Sequence, residues 1–314
     1  MDAILHATAD NPVPDNHFAG FMEARDGVKI RYAVFRCPQA RAKGTIVLLQ
    51  GRNESIEKYF ETIRDLTARG LWVATFDWRG QGGSGRLLGD ARTGHVARFA
   101  DYEDDLGRFL EKVVLPDTRL PFFLVAHSTG ALVALSQAPL LENRVERMVL
   151  AAPFIALAGQ SMSQGKIEII ARFASMFGLG RQTFRKERPE LSFEKNVVTS
   201  DSARYARNLA ILTDHPDLAV GWPTARWLNE TLRAIAGLAR TRIPTLLLCP
   251  TADALVPRAA IAGLARTFRA SRLIEIDGAK HELFQERDRY RAQALAAIDA
   301  FIPGSDSEHT EFGA

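Results

Sequence analysis

Three widely separated residues, Ser128, Asp253 and His281, have the side-chain types that acyl transfer to water requires: a nucleophile, a base for its proton and an acid to orient the base. Ser128 stands in Phe122-Phe123-Leu124-Val125-Ala126-His127-Ser128-Thr129-Gly130, where an apolar strand meets a helical run starting near Ala131. A serine on so sharp a corner projects its hydroxyl above the sheet, provided the residues two before and two after it are small. Ala126 and Gly130 meet that need, although glycine is the usual residue at the first of these positions. His127 adjoins the serine, but neighbours on such a corner diverge, so it is expected to be structural or to line the pocket.

Asp253 follows the apolar run Thr245-Leu246-Leu247-Leu248-Cys249, and His281 follows Leu273-Ile274-Glu275-Ile276. All three residues thus fall just beyond strand ends, where catalytic groups gather in open α/β sheets. Taken singly, Ser128 could sit in an ordinary turn, Asp253 could cap a helix and His281 could be a surface histidine; together they form a set. Asp277 and Glu282 flank His281 too closely in sequence to orient it easily from another strand. The oxyanion formed on the attacked carbonyl needs two backbone N–H donors. Thr129, next to the nucleophile, is one candidate. Arg52 is the other, in Gln50-Gly51-Arg52-Asn53-Glu54-Ser55, which leaves a strand through a glycine and enters a helix, as ordinary strand-to-helix turns also do. No metal, flavin or nicotinamide site is visible, and no cofactor is expected. Gly80-Gln81-Gly82-Gly83-Ser84-Gly85 looks superficially like a phosphate loop but lacks the Lys-Ser/Thr ending.

The elements that must position these groups alternate between strand and helix. Phe21–Ala24 and Val28–Val34 read as a hairpin around Asp26-Gly27, at a sheet edge. Short apolar strands follow at Thr45–Leu49, Leu71–Phe76, Pro121–Ala126, Val145–Leu150, Thr245–Cys249 and Leu273–Ile276. Helical patterns occupy Ile56–Arg69, Tyr102–Val114, Ala131–Leu141, Arg258–Phe268 and Asp288–Phe301. The alternation predicts an α/β fold with a mostly parallel sheet flanked by helices. From Phe154 to Arg242 no buried strand is evident, which marks an insertion. Within it Ile167, Ile170, Phe173, Met176 and Phe177 share a helical face opposed by Lys166, Glu168 and Arg172, as in a helix packed on the core or a cap helix facing substrate. The expected organisation is a core over 20–153 and 243–302, a helical cap over 154–242, and a poorly ordered tail over 303–314.

A chain of 314 residues with 46% hydrophobic and 25% charged side chains has the composition of a globular protein with a large core. A net charge of +3 against 40 basic and 37 acidic residues gives no case for nucleic acid, though weak attraction to anionic headgroups is compatible with it. Cys37 and Cys249 make no disulfide framework and read as buried thiols. The first twenty residues lack a basic region followed by an apolar run, and no stretch is apolar enough to span a bilayer. The expectation is a cytoplasmic protein, with peripheral contact at the inner membrane left open.

These residues resemble the α/β-hydrolase superfamily and, within it, the bacterial lysophospholipase and monoacylglycerol lipase branch, over roughly Gly20 to Phe301. Besides the serine corner, Asp77-Trp78-Arg79-Gly80-Gln81-Gly82-Gly83-Ser84 looks like that family's D-x-R-G-x-G-x-S loop. Gly51-Arg52-Asn53-Glu54-Ser55 and Gly94-His95-Val96, followed by Phe99–Leu106, are similar to the lysophospholipase members. Gln50 departs from the histidine common at that place, and Ala126 from the first glycine of the corner. The resemblance implies a helical lid and a serine hydrolase acting on a lipid ester, a lysophospholipid or monoacylglycerol, without a cofactor. A general carboxylesterase for smaller esters, or a binding module without turnover, are the alternatives.

Overall fold

Apolar runs covered on both faces form the middle of one eight-stranded sheet in the computed structural model, which describes residues 4–158, 164–183 and 192–302. The strands are β1 (His17–Glu23), β2 (Lys29–Phe35), β3 (Gly44–Leu49), β4 (Leu71–Phe76), β5 (Phe122–His127), β6 (Arg147–Ala151), β7 (Thr245–Pro250) and β8 (Ser271–Ile276), in the order β1-β2-β4-β3-β5-β6-β7-β8. β1 pairs antiparallel with β2 and β2 antiparallel with β4, while every later pairing is parallel, so β2 alone runs against the rest. The hairpin at the edge turns at Gly27, whose φ of 82° suits glycine. The chain steps from β3 to β4 on one side and then crosses to β5 on the other. The carboxyl ends of β3 and β5 therefore flank the point where strand order reverses, the usual place for a site in such sheets.

Side-chain alternation divides the core. Val47 and Leu49 of β3 and Leu124 and Ala126 of β5 face one layer, and Ile46, Leu48, Phe123 and Val125 face the other. The helices are α1 (Phe60–Ala68), α2 (Ala100–Phe109), α3 (Leu115–Asp117), α4 (Thr129–Ser136), α5 (Ala138–Leu141), α6 (Gln164–Met176), α7 (Ser202–Asp214), α8 (Ala225–Ala236), α9 (Arg258–Thr267) and α10 (Asp288–Phe301). Residues of α2, α4 and α9 join the first layer, and those of α1 and α10 the second. The helix expected over Ile56–Arg69 opens as a 3-10 turn, Ile56–Tyr59, before α1. The one expected over Ala131–Leu141 is split into α4 and α5, because Pro139 lacks an N–H and its ring would meet the carbonyl four residues back. Both cysteines are buried free thiols.

Between β6 and β7 the described residues form helices and irregular segments, apart from isolated bridges of Thr183 with Thr224 and of Pro223 with Gly94. The apolar residues expected to share one face of α6 divide. Ile167 packs inward with Ala171, whereas Ile170, Phe173, Met176 and Phe177 are exposed, together with Ile169. Helical spacing places the exposed residues on one arc, about a third of the circumference, opposite the face that packs on α8. The side chain of Glu168 and the tail from 303 lie outside the described residues. No helix among the described residues is long and apolar enough to cross a membrane.

Candidate active site

β5 carries the chain to Ser128, whose φ of 50° and ψ of −116° are held only under constraint. Hydrogen bonds supply it. The Ser128 N–H donates to the Ala151 carbonyl at 3.1 Å, and the Ser128 carbonyl accepts from the N–H groups of Leu132 at 3.2 Å and Phe154 at 3.1 Å. A Cβ on Gly130 would stand 2.5 Å from the Gln50 carbonyl oxygen, so the corner is pressed against the loop leaving β3. Ala126 is fully buried in the first core layer, where its methyl group finds room.

His281 bridges the other two residues. Its Nε2 lies 2.9 Å from Ser128 Oγ and its Nδ1 lies 2.7 Å from Asp253 Oδ2. The carboxylate only accepts, so Nδ1 carries the ring proton and Nε2 presents its lone pair to the serine hydroxyl. Asp253 is itself fixed: its Oδ1 accepts from the N–H groups of Leu255 at 2.7 Å and Val256 at 3.1 Å. The imidazole and the carboxylate are both buried. Neither competing acid meets the ring, for Asp277 accepts from Thr251 Oγ1 at 2.9 Å and Glu282 pairs with Lys58 at 2.7 Å.

Thr129 opens α4, and the first N–H groups of a helix have no partner within it. The Arg52 segment is held in place by side chains to which sequence reasoning assigned no such role. Gln81 donates from Nε2 to the Gly51 carbonyl at 3.0 Å and accepts at Oε1 from the Asn53 N–H at 3.2 Å. Glu54 accepts the Gly51 N–H. Gln50 points back beneath the loop, donating to the Phe76 carbonyl and to Asp77 Oδ1, each at 2.7 Å. Asp77 in turn accepts from the Gly83 N–H and pairs with Arg31, so the glycine-rich loop encloses a protein carboxylate rather than a phosphate. The D-x-R-G spacing and the Gly51–Ser55 run were the sequence signals for this support.

The side chain of Arg52 leaves the loop for the segment around α8, donating to the Gly221 carbonyl and lying 5.3 Å from the Trp227 ring centroid. Trp227 on α8 donates from Nε1 to the Tyr102 hydroxyl at 3.1 Å, and Gly94 exchanges backbone hydrogen bonds with Trp222 and Thr224. His95 Nδ1 stands 2.9 Å from Thr224 Oγ1 at the start of α8. The Gly94-His95 segment thus anchors α8 to the core. α7 is fastened separately, through Arg204 and Arg207 to Glu61 of α1. Burial pushes the Glu61 carboxyl up, but Arg204, Arg291 and Arg207 hold it down at about 2.

Comparison with known proteins agrees with this architecture. The chain is 32% identical to lysophospholipase L2 of Escherichia coli over 294 residues, covering 88% of this chain and 85% of that one. It is 28% identical to a probable lysophospholipase L2 of Haemophilus influenzae over 288 residues, covering 90% and 91%. A soluble variant of monoglyceride lipase from Saccharomyces cerevisiae, solved with a substrate analogue, shares the fold with a TM-score of 0.75 at 20% identity, over 96% of this chain and 99% of that one. With a family model matched over residues 40–288, the chain belongs to the serine hydrolase family described as serine aminopeptidase, S33.

Proposed function

We propose that the protein hydrolyses the carboxylic ester of a monoacyl lipid, a lysophospholipid or monoacylglycerol, through an acyl-enzyme on Ser128. His281 Nε2 takes the serine proton as Oγ bonds to the ester carbon, and the N–H groups of Arg52 and Thr129 receive the negative charge on the carbonyl oxygen. The imidazolium then gives its proton to the departing alkoxide oxygen as the C–O bond breaks. Water repeats the sequence on the acyl-enzyme, releasing fatty acid and restoring Ser128. The observation that carries this reading is His281 within hydrogen-bond reach of both Ser128 Oγ, at 2.9 Å, and Asp253 Oδ2, at 2.7 Å.

The family description names a peptidase, and the same acyl chemistry serves amides; the lysophospholipase names of the bacterial relatives favour an ester of a monoacyl lipid. A substrate panel below the micelle concentration tests the choice. Burying a methylene contributes about 0.8 kcal/mol, so kcat/KM should rise by orders of magnitude from acetate to medium-chain and long-chain monoacyl esters. An optimum at acetate or butyrate, or a peptide amide cleaved faster than any ester, would reject the lipid reading.

In this reading residues 154–242 form a cap on a core made of 20–153 and 243–302. The exposed arc of α6 gives the cap a means of meeting lipid. Phe173 and Phe177, 54% and 73% exposed, stack with centroids 6.2 Å apart, and Lys166, Arg172 and Arg181 are exposed close to them in sequence. Apolar residues accompanied by cations suit an anionic bilayer surface. Replacing both Phe173 and Phe177 by Asp should weaken co-sedimentation with anionic phospholipid vesicles by about tenfold or more, while a soluble short ester is still hydrolysed at the original rate. Unchanged sedimentation would remove the membrane role from α6.

A further inference from the structure

His127, Glu54, Lys58 and Glu282 form a buried chain of groups behind the serine and its base. His127 Nδ1 lies 3.2 Å from Glu54 Oε2, and Nε2 lies 3.2 Å from the main-chain carbonyl oxygen of His281. Lys58 joins Glu54 at 3.0 Å to Glu282 at 2.7 Å. His127 immediately precedes Ser128, Glu282 immediately follows His281, and Glu54 accepts the Gly51 N–H beside Arg52. The chain therefore ties together the three loops that carry the nucleophile, the base and one oxyanion donor.

The proton count is fixed by the partners. A carbonyl oxygen only accepts, so Nε2 of His127 carries a proton. Glu54 already receives the Gly51 N–H, the Lys58 ammonium and, at 2.7 Å, the Tyr59 hydroxyl, three donors that favour the ionised carboxylate and leave one acceptor site facing His127. Nδ1 must then donate as well, and the ring is an imidazolium. Its charges alternate with those of Glu54, Lys58 and Glu282, and their sum is zero. A Cβ on Gly51 would lie 2.9 Å from Glu54 Oε2 and 3.0 Å from His127 Nδ1, so only glycine lets the loop close on the pair.

Resting on the proposed function, we infer that His127 works as a protonated positioning residue, which with Glu54, Lys58 and Glu282 holds the His281 loop and the Arg52 loop in register with Ser128. The electrostatics agree with that protonation. Burial alone would raise the Glu54 carboxyl, but Lys58 and His127 hold it well below the usual carboxylate range. Burial alone would lower the His127 imidazole, but Glu54 raises it above the ordinary histidine value, with Glu282 adding to this and Lys58 opposing. Of the other titratable groups of the 3-10 turn, Tyr59 is pushed well up by burial and by Glu54 and stays neutral, and Glu57 pairs with Arg31 at 2.7 Å. The His281 ring lies 4.9 Å away between centroids. Stability from the His127 pair is complete below the ordinary histidine value and fades as pH rises through the raised one.

Two measurements test this. Long-range proton–nitrogen spectra of wild-type protein at the ordinary histidine value, about pH 6.5, with His127 assigned through His127→Gln, should show both of its nitrogens predominantly protonated; a mostly neutral His127 ring there would overturn the inference without relying on any variant that must stay active. In Glu54→Gln the ring should become neutral at that pH, and kcat on a short soluble ester should fall roughly ten- to hundredfold with KM little changed. The alkaline loss of kcat should also begin at lower pH, since the group that raises His127 is gone. A uniform loss at every pH, or none, would leave His127 as packing only. Ser128→Ala run in parallel separates the two readings: if it still reacts with a fluorophosphonate the proposed function fails, and if it is inert while Glu54→Gln keeps the wild-type profile only this inference fails.

Discussion

Ser128→Ala is expected to abolish labelling by a fluorophosphonate and to lower kcat on any ester by roughly a million-fold, the scale on which a triad acting as a unit fails. The substitution removes one hydroxyl, whose hydrogen bond is to His281 Nε2. The corner itself is held by backbone hydrogen bonds, donated to the Ala151 carbonyl and accepted from the N–H groups of Leu132 and Phe154, which alanine leaves in place. Circular dichroism and the melting temperature should therefore stay close to wild type. His281→Ala should cost nearly as much, and the double variant little more than either, because each loss already disables proton transfer. Persistent labelling of Ser128→Ala would show that another nucleophile does the work.

Asp253→Asn is expected to lower kcat by about 10⁴-fold, for a reason specific to this site. Asp253 Oδ1 accepts two backbone N–H groups, from Leu255 and Val256, so an asparagine must keep its carbonyl oxygen there. Its NH₂ then faces His281 Nδ1, where the carboxylate oxygen stood at 2.7 Å. The ring is forced to accept at Nδ1 and to carry its proton on Nε2, towards the serine it should deprotonate. KM should change little, since the fold around the acid is retained. A kcat close to wild type would mean that some other carboxylate orients the base.

How much of this was legible beforehand depends on the range of the interaction. The strands were, because β3 and β5 are buried on both faces and read as continuous apolar runs, and so was the hairpin, whose Asp26-Gly27 turn is a local signal. Local chemistry also marked Ser128, Asp253 and His281, since each follows a strand end. The split at Gln137 was legible too, in Pro139, but the apolar spacing around it drew the reading towards one helix. The α6 stripe was ambiguous for a different reason: periodicity says that residues share a face, not what that face meets. Ile167 turned inward and Phe173 and Phe177 outward because α8 covers only one side of the helix.

What the sequence by itself determined is therefore the set of groups that share one end of a parallel sheet, because strand direction and loop position follow from local patterns. Only the tertiary structure decided how those groups engage. The 2.9 Å and 2.7 Å contacts of His281 join residues more than a hundred and about thirty positions apart, across loops whose relative placement is set by the twist and packing of the whole sheet. The same holds for His127, which in sequence is merely the neighbour of a serine. Its place on β5 points it into the second layer, opposite Ala126, and only the fold brings Glu54 and the His281 carbonyl there to meet it.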